Sequence, residues 1–270
     1  EQEGVALWKS VYEAEYKEDN QVINQFDIRG WKSSFTQLPI PPEEMKEWVD
    51  ATVARIQGLS PHSVLEIGSG SGLIFYPLLL SCTHYIATDF SSNAMNRLSS
   101  SAKVLGYEHK SEFVTCPADE VASAALEQRV DTVVMNSVSQ YFPNAGYLDK
   151  VIEQAIESIE GEGNLFFGDI RDQRLLRAFH LSILAHRNPE KAIAQLVKQA
   201  TWLASKETEL AISPTYFLAL MRHPAVDAVQ VLPKRGFADH EMNRFRYDVI
   251  VKIKKTAQLA SKQPITILLN

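Results

Sequence analysis

A carboxylate precedes a glycine-rich loop in the segment Ser63-Val-Leu-Glu66-Ile-Gly68-Ser-Gly70-Ser-Gly72. The apolar run is typical of a buried parallel strand, and the glycines let the backbone turn sharply and approach a ligand closely. A helix predicted over 73–80 presents its N-terminus to that ligand. A dinucleotide fingerprint would need a small residue at Leu73. The loop therefore suits S-adenosylmethionine better, because Glu66 can hold its ammonium and backbone N–H groups can meet its carboxylate. The alternative is a glycine-rich turn in another α/β domain.

Acids also follow the next two predicted strands. Asp89 ends the second strand, 23 residues after Glu66, which is enough for one strand–helix–strand unit. A carboxylate at that position reaches the ribose hydroxyls of an adenosine cofactor. Asp119 follows the third strand, where an acid can accept a hydrogen bond from the adenine amino group. It can also cap a helix over 120–126, and the two roles are compatible.

The predicted fourth and fifth strands end in polar residues as well, at Asn136 and Asp169. Because the carboxyl ends of parallel strands share one edge of a sheet, and ligands bind there, these side chains should lie close together. We expect the following residues to bind the cofactor: Glu66, Gly68, Gly70, Asp89, Phe90, Ala118, Asp119, Asn136 and Ser137.

The elements that must position these residues are those of an α/β, Rossmann-like sheet. Strand and helix alternate over 60–170, which predicts parallel strands with right-handed crossovers. Strands over 228–232 and 245–253 predict a reversed C-terminal hairpin, so we expect a seven-stranded, mostly parallel sheet. We expect three parts: an N-terminal helical cap or lid over 1–58, a core over 59–253 with a helical substrate-side insertion at 172–222, and a tail or linker over 254–270.

Helices predicted outside the core build the cap and the insertion. The cap should contain helices over 5–16 and from Pro42 to Gly58, the second with proline and acids at its N-terminus. The insertion should contain helices over 174–185 and 190–204.

Composition excludes several classes of protein. The chain has 270 residues, 45% hydrophobic and 22% charged, and a net charge of −6. An acidic chain without a basic, aromatic-interleaved run argues against nucleic acid, and we expect no membrane segment. The two cysteines, Cys82 and Cys116, predict buried free thiols in the cytoplasm and no metal site. Because the chain starts at Glu1, we expect it to be processed or cut from something longer.

The segments Asn136-Ser-Val-Ser-Gln-Tyr-Phe-Pro143 and Phe245-Arg-Tyr-Asp-Val249 are the most specific of several that are typical of a known family. From about residue 8 to 251, the chain resembles the methyltransferase domains of modular polyketide synthases and nonribosomal peptide synthetases. The resemblance implies a class I methyltransferase fold, S-adenosylmethionine as methyl donor and S-adenosylhomocysteine as product. It also implies an acceptor bound as a thioester on the phosphopantetheine arm of an acyl carrier protein, with neighbouring megasynthase domains as partners.

The identity of the acceptor atom is inferred from His240 and Glu241. N-methylating relatives carry Asn-Glu-Leu before the last strand, whereas this chain has His240-Glu241-Met242. A hydroxyl must lose a proton, and a histidine oriented by a carboxylate is a suitable base. We therefore expect His240 to be the base, with Glu241 beside it and Asp169 in the acceptor pocket. The alternatives are an exposed turn histidine at 240, a structural ion pair of Glu241 with Arg244 or Arg246, and an internal ion pair between Asp169 and Arg171.

Three further residues are predicted on the substrate side, namely Tyr141, His180 and Trp31. His180 is a rival base, and Trp31 belongs to an aromatic loop that either closes over the cofactor or simply links two helices. The favoured function is O-methylation of a carrier-bound β-hydroxy or enolised β-keto intermediate. The alternatives are N-methylation of an aminoacyl thioester and an inactive scaffold domain.

Overall fold

Seven strands form one mixed sheet in the computed structural model, which describes residues 24–124 and 130–255. The strands are β1 Ser63–Ile67, β2 His84–Asp89, β3 Ser111–Thr115, β4 Val130–Asn136, β5 Ile159–Arg171, β6 Val226–Pro233 and β7 Arg246–Lys254. The α-helices of the described residues are α1 Pro42–Gln57, α2 Phe75–Leu79, α3 Ser92–Val104, α4 Val121–Ala124, α5 Ala145–Ser158, α6 Leu176–Arg187, α7 Ile193–Ser205, α8 Pro214–Leu218 and α9 Glu241–Phe245.

The strand order is β3-β2-β1-β4-β5-β7-β6. The strands β1 to β5 pair in parallel, while β7 lies antiparallel between β5 and β6. This confirms the predicted seven-stranded sheet with a reversed C-terminal hairpin. Because β7 runs opposite to its neighbour β5, the start of β7 lies at the same edge as the carboxyl ends of the parallel strands.

Both faces of the sheet are buried, as the continuous apolar character of the strands predicts. Leu65 and Ile67 pack into a core with α5 and α8. Val64 packs on the opposite face with α1, α2 and α3. Alternate residues of one strand therefore serve two separate apolar cores.

The second helix of the cap forms as predicted. Pro42 occupies its first turn, followed by Glu43 and Glu44, and Gly58 ends it. Its buried face comprises Met45, Trp48, Val49, Thr52, Val53, Arg55 and Ile56. The other predicted cap helix, over 5–16, lies outside the described residues, as do most of the tail and the end of the helix predicted over 120–126. The proposed division of the chain into parts stays a prediction.

The insertion forms two packed helices, α6 and α7, close to the predicted ranges. They share a small apolar cluster of their own, made of Leu184, Leu196 and Ala200. Two elements differ from expectation. The helix after the glycine loop is shorter than predicted, because residues up to Ile74 form the turn. The short helix α9 was not predicted, since five residues are too few to show an apolar period.

A buried ion cluster joins α1 to the C-terminal hairpin. Asp248 of β7 is 1% exposed and contacts Arg55 of α1. It also accepts hydrogen bonds from Lys234 Nζ at 3.0 Å and from the Asp169 backbone N–H at 2.8 Å. The carboxylate thus connects a helix, two strands and the turn after β6.

Cys82 and Cys116 are buried free thiols, as predicted. Across residues 24–124 and 130–255, no helix has both the length and the apolar character needed to span a bilayer.

We expect Asp248→Asn to lower the free energy of unfolding by about 3–5 kcal/mol, because Arg55 would stay buried without its anionic partner and Lys234 would keep only Asp169, 4.0 Å away. Urea denaturation measures the change. The matched control is Asp50→Asn, which breaks the exposed Lys46–Asp50 pair of α1 and should cost about 0.5 kcal/mol or less. Equal effects of the two substitutions would show that the buried cluster does not stabilise the fold.

Candidate active site

A cavity of about 680 Å³ opens at the carboxyl edge of the parallel strands. Its walls are the glycine loop, the ends of β2 and β4, the N-terminal loop (residues 24–41), the helical insertion and α9. The sheet edge at which we predict ligand binding therefore carries a large cavity.

The glycine loop adopts backbone conformations that other residues rarely take. Gly68 has a φ of +76°, and a Cβ added there would lie 2.4 Å from a methyl carbon of Val138. The Gly68 N–H donates to Thr88 O at 2.9 Å, and the Gly70 N–H donates to Asp89 Oδ2 at 3.0 Å. Positive φ and close packing together require glycine at position 68.

Glu66 is a buried carboxylate that lines the cavity beside this loop. The Tyr85 hydroxyl donates to its Oε2 at 2.9 Å. Burial raises the pKa of Glu66 to about 7, although hydrogen bonds oppose that effect. A group that titrates near neutrality in a buried place gains from a positively charged partner.

Asp89 and Phe90 line the cavity at the end of β2. The Asp89 carboxylate accepts from Gly70 and from the Ser91 N–H, at 2.8 Å. Each carboxylate oxygen has two lone pairs and can accept from more than one donor. Asp89 therefore orients the glycine loop as well as facing the cavity, a role that the sequence did not indicate.

Ala118 lines the cavity next to Cys116, but Asp119 is turned toward α5. Its Oδ1 accepts from the Tyr147 hydroxyl at 2.6 Å, and burial together with this bond raises the pKa of Tyr147. Tyr147 itself lines the cavity and packs against Phe142, with 4.8 Å between ring centroids. The pair was missed in the sequence because neither aromatic lies at a strand end.

At the end of β4, Asn136 and Ser137 line the cavity. Ser137 has a φ of +58° and Asp169 a φ of +62°, a region that costs non-glycine residues about 1–3 kcal/mol each. The Ser137 hydroxyl donates to Asp169 Oδ2, and its N–H donates to Gly168 O at 3.1 Å. The two strained residues thus hold each other in place.

Asp169 is fully buried and surrounded by donors rather than facing the cavity. It pairs with Arg246, and Trp48 Nε1 donates to it at 3.2 Å. Burial alone would raise its pKa, but Arg246 and Lys234 outweigh that effect and lower it. The alternative pairing with Arg171 does not form, because Arg171 binds Glu207 and Glu209 instead.

His240 and Glu241 have different surroundings at the start of α9. His240 is buried and outside the cavity lining, and its Nδ1 accepts from the Asn243 N–H at 3.4 Å, capping the helix. Glu241 lines the cavity, is 4% exposed, and accepts from the Ser34 N–H through Oε1. Its Oε2 accepts no hydrogen bond from any residue in 24–124 or 130–255. Arg244 pairs with Asp239 and Arg246 with Asp169, so neither arginine occupies Glu241.

The predicted substrate residues Trp31, Tyr141 and His180 all line the cavity. Trp31 packs on Trp48, with 5.1 Å between ring centroids. His180 Nε2 lies 3.2 Å from Glu207 Oε2. The structure thus brings these three residues to the same cavity as Glu241, and leaves His240 and Asp169 behind its wall.

The N-terminal loop contributes residues that the sequence did not single out. Asp27 is buried and pairs with Arg29 and Arg97, and its backbone carbonyl accepts from Ser71 Oγ at 2.9 Å. Burial alone would raise the pKa of Asp27, but the two arginines lower it to about 2. On the other side, Arg187 Nε of the insertion donates to Phe35 O at 3.0 Å. The loop therefore connects the glycine loop with the insertion.

Comparison with known proteins agrees with this geometry. Residues 65–165 match the family model described as "Methyltransferase domain". Over 244 residues the chain is 39% identical to the nonribosomal peptide synthetase CymA of Salinispora arenicola, a match that covers 90% of this chain and 3% of that protein. It is 37% identical to chondramide synthase cmdD of Chondromyces crocatus over 267 residues, covering 93% of this chain and 6% of that protein.

Among solved structures, magnesium protoporphyrin IX methyltransferase ChlM from Synechocystis PCC 6803, with bound SAH, superposes with a TM-score of 0.56 at 16% identity. The match covers 94% of this chain and 100% of that one, and it establishes the fold. This chain has the class I methyltransferase fold, and its residues 65–165 match a methyltransferase domain. Its resemblance to the domains of peptide synthetases is confirmed, whereas the polyketide half of that resemblance stays a prediction. The chain spans only a small part of the synthetases that it matches.

The residues present fit S-adenosylmethionine. The Glu66 and Asp89 carboxylates both line the cavity beside the glycine loop, and their chemistry suits an ammonium and ribose hydroxyls respectively. The Asn136 Oδ1 is buried in the cavity wall without a hydrogen-bond donor among the described residues. Carboxylate and carbonyl acceptors of this kind suit a cationic cofactor and would repel the pyrophosphate of a dinucleotide.

We expect the affinity for S-adenosylmethionine to fall below pH 7, by as much as about tenfold per pH unit. In the free protein the raised pKa keeps Glu66 neutral below about pH 7, so binding the ammonium there must first remove a proton. Calorimetric titration from pH 5.5 to 8.5 measures the slope. Glu66→Gln should bind weakly at every pH without the slope, while exposed Glu108→Gln should keep it. A wild-type affinity independent of pH would remove Glu66 from the ammonium site.

Proposed function

We propose that this domain methylates the amino nitrogen of an α-aminoacyl group that is bound as a thioester to a carrier domain of a peptide synthetase. Glu241 carries the proposal. It is a buried carboxylate in the cavity wall, with one oxygen occupied by the Ser34 N–H and the other without a donor among the described residues. A buried carboxylate oxygen in that state needs a donor, and the N–H of an amine supplies one.

The chemistry of the two candidate nucleophiles supports nitrogen. An α-amino group has a pKa near 8, so a fraction of it is neutral near pH 7 and its lone pair attacks the methyl group without a strong base. The methylated nitrogen then loses one proton, and a carboxylate that accepts a hydrogen bond from its N–H gives that proton a path out. A hydroxyl holds its proton more tightly and needs a stronger base. The preference for oxygen in the sequence depends on His240, and the place of that side chain outside the cavity lining supports nitrogen instead.

The residues then have separate roles. S-adenosylmethionine, when bound, supplies a methyl group on a positively charged sulfur. Glu66 holds the ammonium of that cofactor and Asp89 its ribose hydroxyls, while Glu241 orients the amine and receives its proton. Asp169 acts as a positioning residue, because it fixes Ser137 and Arg246 at the cavity wall.

The partners and the cellular location of the domain belong to the same proposal. One relative is by name a peptide synthetase, which supports an aminoacyl acceptor, a carrier domain and other synthetase domains as partners, and a cytoplasmic location. O-methylation stays the second candidate, supported by His180, an imidazole that lines the cavity beside Glu207.

We expect methyl transfer to aminoacyl thioesters and not to the matching hydroxyacyl or β-ketoacyl thioesters. Pantetheine thioesters of leucine, of the corresponding 2-hydroxy acid, and of 3-hydroxy and 3-keto acids of similar length should be offered with S-adenosylmethionine. Intact-mass and fragment spectra then locate the added methyl group. Transfer to oxygen alone would contradict the proposal and favour His180 as the base, and no transfer to any acceptor would indicate an inactive scaffold.

We expect Glu241→Gln to lower turnover by roughly 10²–10⁴-fold, because the amide cannot accept the proton. Cofactor affinity should stay nearly unchanged. The matched substitution is His240→Asn, which keeps a side-chain acceptor at the N-cap of α9 and should change turnover only a few-fold. The reverse ranking would return the base to His240.

A further inference from the structure

The helical insertion closes one side of the cavity with apolar side chains. They come from α6, from the residue before it and from α7, and together form what we call the apolar wall: Leu175, Leu176, Phe179, Ile183, Leu184 and Leu203. Apart from Leu184, they are only partly buried, and Leu175 is 36% exposed. Apolar groups that face a cavity in this way gain free energy when an apolar ligand covers them.

The apolar wall lies directly beside the proposed amine site. Phe179 packs on Phe245, with 5.4 Å between ring centroids. Phe245 ends α9 and lines the cavity, four residues after Glu241. Residues four apart on a helix lie on the same face, with Cβ atoms about 5–6 Å apart. The wall therefore begins within one side-chain length of the carboxylate.

In an α-amino acid the side chain and the amino nitrogen are close together by covalent structure. Its side chain branches from the carbon that bears the nitrogen. If Glu241 holds the nitrogen, the first atoms of the acceptor's side chain must lie within a few ångströms, which brings them to Phe245 and the apolar wall.

Apart from Glu241, the charged groups around Phe179 already have partners. Arg171 donates to Glu207 at 2.8 Å and to Glu209 at 2.7 Å, and its guanidinium lies 5.3 Å from the centre of the Phe179 ring. His180 lies against the same Glu207. A charged acceptor side chain would lose its hydration beside ions that are already paired, which costs free energy.

From the apolar wall, its contact with α9 and the paired charges beside it, we propose that the acceptor is an aminoacyl group with a large apolar side chain, aliphatic or aromatic, seated on the insertion. The inference rests on the proposed function and adds the substrate class. Two residues of α6 that line the cavity, Phe179 and Ile183, determine this specificity.

The experiment compares pantetheine thioesters of leucine, phenylalanine, glycine, aspartate and lysine, with kcat/KM measured for each. Wild type should prefer leucyl or phenylalanyl over glycyl and the charged acceptors by roughly 10- to 200-fold. Ile183→Asp should reduce that preference by a similar factor and raise the relative rate for lysyl. The control is Ile193→Asp, at the first residue of α7, which is 62% exposed and outside the cavity lining; it should keep the wild-type preference.

Cofactor titration shows whether Ile183→Asp is folded. If it is not, Ile183→Ala replaces it and should shift the preference toward the larger phenylalanyl group. Equal kcat/KM for glycyl, lysyl and leucyl acceptors in wild type would overturn the apolar acceptor while leaving N-methylation intact. An unchanged preference in both Ile183 variants would likewise overturn it. Refusal of every aminoacyl thioester, with transfer to hydroxyacyl ones, would overturn the proposed function and this inference with it.

Discussion

The buried carboxylate of Asp248 holds the C-terminal hairpin against α1 and the end of β5, and so fixes the walls of the active site relative to one another. It draws Arg55, Lys234 and the Asp169 N–H to one point inside the protein. Burying charges costs desolvation, and the mutual pairing offsets that cost only when each partner is present. Because β7 runs antiparallel to β5, Asp248 fixes the start of β7 at the ligand edge of the sheet. The helix α9 directly precedes that start, so the same carboxylate places Glu241 at the cavity.

Three other acids show how surroundings separate the tasks of identical groups. Burial raises the pKa of Glu66 to about 7, which leaves it responsive to a cationic ligand. Asp169 is buried too, yet Arg246 and Lys234 outweigh burial and lower its pKa, so it stays an ionised anchor. Glu241 has one oxygen bonded and one without a donor among the described residues. Only this last arrangement leaves a carboxylate ready for an acceptor.

The sequence was sufficient for the features that follow from local pattern. Apolar runs that end in glycine or acid gave the parallel strands and their ligand edge, and the two final apolar runs gave the reversed hairpin. It was insufficient for α9 and for the direction of each side chain there, because adjacent residues such as His240 and Glu241 diverge only once a helix begins between them. Asp248 did leave a signal: a charged residue within the apolar run Tyr247–Val251 requires buried partners. Their identity, Arg55 in α1, depends on tertiary packing.

The N-terminal loop links the two ligand sites through different kinds of bond. At Asp27 it is fixed by two arginines on the cofactor side, and at Ser34 by its backbone N–H on Glu241. A carboxylate accepts on both oxygens at once, so the loop and an amine need not compete for Glu241. Instead, the Ser34 N–H holds Oε1 and leaves Oε2 without a donor among the described residues. The loop thereby makes the orientation of the proposed base depend on its own attachment beside the glycine loop, where Ser71 bonds Asp27.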